Sequence, residues 1–95
     1  MTGHVFHPGH EALHGVTVVI DTPGTRTWVG RWHEQDGHGV HLLDAALHDS
    51  ETSEQAREEF LRRLLKFGVR AEHKHVLVPH DQVARVTPLR ELTIG

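Results

Sequence analysis

Histidines and carboxylates crowd the stretch WVGRWHEQDGHGVHLLDAALHD, residues 28–49, which holds four histidines, three aspartates and a glutamate. Imidazole nitrogen and carboxylate oxygen are donors that zinc and nickel accept. Further on, His73-x-His75 sets two imidazoles on one face of a strand, because alternate residues of a strand share a side. His80, Asp81 or His33 would supply a third ligand, so zinc or nickel is the cofactor this pattern would take. Composition offers a plainer source: with 11 histidines in the chain, a half-exposed strand shows H-x-H by chance. His4, His7, His10 and His14 come near a helical spacing, but Pro8-Gly9 breaks any helix there. Residues 1–9 are expected to be poorly ordered.

Enzymatic chemistry has little support. Ser50 and Ser53 lack the G-x-S-x-G setting of a nucleophile and are better explained as helix caps. DTPGT (21–25) lacks the glycine-rich loop and lysine of a phosphate-binding motif. The expectation is therefore no enzyme and no catalytic residue. Arg62, Arg63, Lys66, Arg70 and Lys74 form a basic cluster able to face RNA phosphates. Glu58–Arg62 and Glu59–Arg63 are i,i+4 pairs in the favourable order, which points instead to a solvated helix end. Trp28 and Trp32 share one strand face; they suit base stacking, but in so small a domain they are expected to fill the core or a subunit contact.

Bulk properties narrow the classes further. Ninety-five residues make one domain, 1–95. A chain this short buries only about 60–65% of its unfolded surface, so a partner subunit would help it. Formal charge is −3, from 10 basic and 13 acidic residues, which argues against strong sequence-independent duplex binding. There is no cysteine, hence no disulfide and no thiolate metal site. No apolar run approaches the roughly 20 residues of a membrane span. The first ten residues show no basic region followed by an apolar one, so a cytoplasmic protein is expected.

The elements that must carry these residues are short. GVTVVID (15–21) is β-branched and reads as a strand; Pro23-Gly24 then suits a type II turn. RTWVGRWHE (26–34) is a second strand, with Gly30 marking a bend or bulge. Asp36-Gly37 is a hairpin signal leading into VHLLDAAL (40–47). SETSEQAREEFLRRLLKFG (50–68) is the one helix. Thr52 and Gln55 fit a capping box, Ser53 is a competing N-cap, and Gly68 is the stop. Its apolar stripe is Ala56, Phe60, Leu61, Leu64, Leu65 and Phe67. VRAEHKHVLVP (69–79) and QVARVTPL (82–89) complete a β-β-β-α-β-β order. Five short, bent strands favour a small closed or half-closed barrel.

In this register the sequence resembles the Sm/LSm family of small, SH3-like RNA-binding barrels. LHGVTVVI resembles the family's opening. WVGRWHEQDGH resembles its second strand, with a glycine and, six residues later, an aspartate followed by x-His. LLDAALHD resembles the acidic-alanine end of its third strand, and HVLVPHDQVARVTPL falls on its second signature. The match covers residues 8–49 and 75–89. The resemblance implies a five-stranded antiparallel barrel in which residues 51–68 are a helix inserted between strands three and four. It also implies ring assembly, one subunit's fourth strand pairing with the next subunit's fifth. The family's base-contacting asparagine has no counterpart; Val40 or Gly39 stands there, depending on a one-residue gap. Pro79 and His80 replace its arginine and glycine. Asp36, His38 and Asp81 are the matching positions that remain.

The expectation is a cytoplasmic, histidine-rich, homo-oligomeric binding or assembly module with single-stranded RNA as its ligand, through Asp36, His38, His80 and Asp81. The alternatives are a histidine-rich metal-binding protein using His73 and His75, or a pure protein–protein scaffold. Val18, Ile20, Val29, Leu42, Val76, Val78, Val83 and Val86 are the expected interior.

Overall fold

The computed structural model describes residues 13–92. The expected disorder of residues 1–9, and His4, His7 and His10, lie outside them. Five strands form one antiparallel sheet: β1 (Thr17–Asp21), β2 (Arg26–Gln35), β3 (Gly39–Asp49), β4 (His73–Pro79) and β5 (Arg85–Pro88). Among the described residues one α-helix, α1 (Arg57–Phe67), falls between β3 and β4, so the β-β-β-α-β-β order stands. Spatial order is β4-β3-β2-β1-β5. The first three strands run as a meander, β4 adds to the outer side of β3, and β5 returns to the outer side of β1.

β4 and β5 end the sheet as edges, and no pairing joins them among the described residues. The sheet is therefore open. It nonetheless bends, since residues of all five strands share one buried core on the same face. Val18 and Ile20 of β1, Trp32 of β2, Val40 and Leu42 of β3, Val78 of β4 and Val86 of β5 belong to one cluster. Both edge strands thus reach the same interior. Trp28, Val76 and Val83 pack against it partly buried. Trp32 is 2% exposed, so the tryptophans serve the core.

Two irregularities in the β2–β3 ladder produce the bend. Val29 faces Ala46 and Arg31 faces Leu43, so Gly30 opposes two residues, Asp44 and Ala45. Asp44 is the extra one and adopts a positive φ of 52°. A Cβ on Gly30 would come within 2.8 Å of the Ala45 Cβ, so only glycine lets the two strands meet there. The second irregularity adds His33 to β2: Trp32 faces Leu42, yet Glu34 already faces His41. Each bulge reverses the in–out alternation beyond it.

The opposite face carries α1. Leu61 and Leu64 pack on Val19, Val29 and Leu89, with Phe60, Val69 and Leu92 at the margin. Val29, expected in the interior, is buried here, on the helix side. The helix begins at Arg57 rather than near residue 50, and the Thr52–Gln55 capping box does not form. Local backbone and side-chain bonds hold that segment otherwise, a competition with the helix that serine side chains readily enter. The Thr52 and Ser53 N–H groups donate to the Asp49 carbonyl, Gln55 N–H donates to Ser53 Oγ, and His48 Nε2 donates to the Gln55 carbonyl at 2.6 Å. Arg57 then grips Asp21 Oδ1 through Nε and an Nη at 3.0 and 2.7 Å, tying the helix start to the end of β1. Gly68 ends the helix as expected, its N–H donating to the Leu64 carbonyl. The buried stripe is narrower than the sequence pattern: Leu65 is exposed, and Phe67 is 73% exposed beneath the Lys66 ammonium. β4 starts at His73 rather than 69, since Val69 turns back to the helix-side cluster. Among the described residues no helix is long and apolar enough to cross a membrane.

Candidate functional site

The chemistry gathers at the β2–β3 turn. Asp36 opens it. Its Oδ1 accepts the His38 N–H at 2.8 Å and the Gly39 N–H at 3.3 Å, an Asx turn that follows from an aspartate before glycine. Gly39 is required on its own account: its φ is +149°, and a Cβ would overlap the Val78 carbonyl and stand 2.8 Å from Pro79 Cα. The turn is therefore pressed against the end of β4.

The other Asp36 oxygen, Oδ2, accepts from His41 Nε2 at 2.8 Å. His41 Nδ1 lies 2.9 Å from His75 Nε2, and the two rings stack at 22°. The result is a relay, Asp36–His41–His75, across β3 and β4. In its neutral form His41 donates to Asp36 and accepts from His75. The His38 N–H above all holds the Asp36 carboxyl below the usual carboxylate range; burial opposes it, and the His41 ring and the Gly39 N–H add to the lowering. Glu34 completes the group. One ligand atom each from Glu34, Asp36 and His41 lie within 4.8 Å of one another.

A second loop reaches the same end. After β4 a 3₁₀ turn, His80–Gln82, precedes β5. His80 Nε2 donates to the Asp36 carbonyl at 2.7 Å, which joins the β2–β3 turn to the β4–β5 loop. Asp81 is exposed on the same 3₁₀ turn. Asp36, His38, His80 and Asp81 thus fall at one end of the sheet. His73 and His75 have separate surroundings: the His73 ring meets Trp28 edge-on at 5.5 Å, whereas His75 stacks on His41. His33 is also elsewhere, its carbonyl accepting from His14 Nδ1. Sequence reasoning singled out neither Glu34 nor His41. The hairpin held the signal, since a four-residue turn at 36–39 pairs 35 with 40 and 34 with 41.

Of the basic cluster, Arg63 and Arg70 line a shallow cleft between the end of α1 and β3, with Phe60, Leu64, Phe67 and Val69 at its floor and wall. It lies on the helix side, apart from the turn. No protein-family description matches this chain, and no curated protein matches it. What fold and site define is a small, curved, antiparallel β-domain with one helix and a histidine–carboxylate cluster at one end.

Proposed function

We propose that this chain is an Sm-like binding and assembly module, a homo-oligomer joined through its sheet edges that takes single-stranded RNA at its turn end. The observation that carries the reading is the His80–Asp36 bond. It brings together the two loops on which the sequence resemblance places the base pocket. The strand order β4-β3-β2-β1-β5 supports the assembly half of the reading, because it leaves β4 and β5, the strands expected to pair between subunits, as the two edges. An unpaired edge invites another strand. The shared interior of β4 and β5 supports a half-closed, SH3-like barrel.

RNA contact here would rest on imidazoles, with no arginine at the expected position. Binding would strengthen as the net charge of −3 becomes positive below the sequence pI of about 6.4. The test pairs light scattering of the purified chain with retardation of a short oligouridine at low salt. The expected result is a defined oligomer and a shift that is stronger at pH 6 than at pH 8 and weakens as salt rises. His38→Ala and His80→Ala should weaken it without changing the oligomer. A monomer that gives no shift across that pH range would end the reading.

A further inference from the structure

We propose that Glu34, Asp36 and His41 bind a first-row divalent metal ion of the zinc or nickel type, with His75 as the residue that positions His41. This inference is independent of the RNA and assembly reading.

The extra residue His33 is what makes the triad. Without it Glu34 would share the side of Trp32; with it Glu34 lies on the opposite side, paired across the ladder with His41. Each member offers one ligand atom, and these atoms lie within 4.8 Å of each other. Asp36 has one oxygen occupied by two backbone N–H groups, which leaves Oδ2 for the ion. His41 has Nδ1 engaged with His75, which leaves Nε2. Histidine ligands almost always have their second nitrogen held in this manner. The contact survives metal binding with its direction reversed, His41 Nδ1–H donating to His75 Nε2. His41 Nε2 and Asp36 Oδ2 are 2.8 Å apart. Ligand bonds of about 2.1 Å at a tetrahedral angle separate two donors by about 3.4 Å, so a small widening admits the ion.

The donor set chooses the metal class. One imidazole nitrogen and two carboxylates give a mixed N/O site of charge −2. Calcium and magnesium favour all-oxygen shells, whereas zinc and nickel accept nitrogen readily. Glu34 and Asp36 are exposed, so water completes the shell. Three protein ligands with an open position is the arrangement of an exchangeable site. His73 takes no part, since its ring is committed to Trp28.

The test is zinc titration against a chromophoric chelator, using the full chain with His4, His7 and His10 replaced by alanine so that these imidazoles do not compete. The expected result is one zinc per chain. Glu34→Gln, Asp36→Asn and His41→Gln should each weaken binding at least about tenfold, and His75→Gln roughly tenfold. His73→Gln should leave it unchanged. Asparagine at 36 keeps the acceptor for the backbone N–H groups, and Glu34 is exposed, so these two variants test the site with the fold intact. Cobalt should show visible absorption bands that Glu34→Gln alters. Zinc affinity unchanged in folded Glu34→Gln and Asp36→Asn, or lost equally in His73→Gln, overturns the proposal.

Discussion

Gly30 and Ala45 meet across the β2–β3 ladder so closely that a Cβ added to the glycine would stand 2.8 Å from the alanine Cβ and 3.1 Å from its Cα. Both residues are buried, and β3 carries its extra residue beside them. Gly30→Ala should therefore destabilise the protein by about 1–3 kcal/mol, the range for overfilling a packed site. Removing the opposing methyl in Gly30→Ala/Ala45→Gly should recover part of that loss. Residues in contact couple, so urea denaturation of the two single variants and the double variant would show clear non-additivity. Additive losses would mean that the strands do not touch there.

The strand order, the hairpin turns and the apolar interior are legible in the sequence because each depends on local signals: β-branched runs, Pro23-Gly24, Asp36-Gly37 and period-two valines. Of the two bulges, the one at Gly30 is announced by the glycine itself, but which residue of β3 is extra, and the second bulge altogether, are not legible in that way. Nothing local in LLDAAL announces that Asp44 will leave the alternation, or that His33 will. Both follow from how β2 must bend to bury Trp32 and Leu42 together. Because a bulge exchanges the two faces, missing His33 sets Glu34 on the side of Trp32 and hides that it shares a face with His41, although the turn already pairs the two. The helix start was obscured for a related reason. Thr52, Ser53 and Gln55 have the residue types of a cap, but Asp49 and His48 at the end of β3 claim that backbone first. Asp36, His38 and His80 were recognisable as turn residues, while the hydrogen bond between two turns 44 residues apart depends on the tertiary fold.

Gly39→Ala should be more damaging than any surface change at the turn. It forces a side chain into a φ of +149° and against the Val78 carbonyl. Strain of this kind costs about 1–3 kcal/mol before any displacement of β4. Thermal unfolding should show a lowered midpoint. Amide exchange should rise first in Val78 and its neighbours, since β4 is the strand that must yield.

The Arg57–Asp21 pair links the start of α1 to the sheet with two hydrogen bonds to one oxygen. Neither side chain is fully buried, at 38% and 23% exposure, so solvent screens the pair. Arg57→Ala should cost about 1 kcal/mol, and the loss should shrink as salt rises. Helix content by circular dichroism should fall little, because Leu61 and Leu64 still anchor the helix. A large loss of helix would show that the pair, rather than the apolar face, holds α1 in place.

Acid should loosen the molecule at two aspartates. The His38 N–H and the His41 ring lower the Asp36 carboxyl; the Glu51 N–H, the Thr25 hydroxyl and Arg26 lower that of Asp49. A carboxyl whose folded value lies below its unfolded one binds fewer protons in the native state. Its contribution is complete above the ordinary value of 3.8 and is lost as pH falls from there through the lowered value. Urea midpoints should thus decline below about pH 4. Asp36→Asn and Asp49→Asn should each start from a lower plateau at neutral pH and decline less steeply in acid. Asparagine keeps one acceptor oxygen but not the charge, so the variants isolate the ionic share of each turn. If both variants kept the full acid slope, the stabilising charge would have to lie on other carboxylates, and the Asx turn at Asp36 would act through geometry alone.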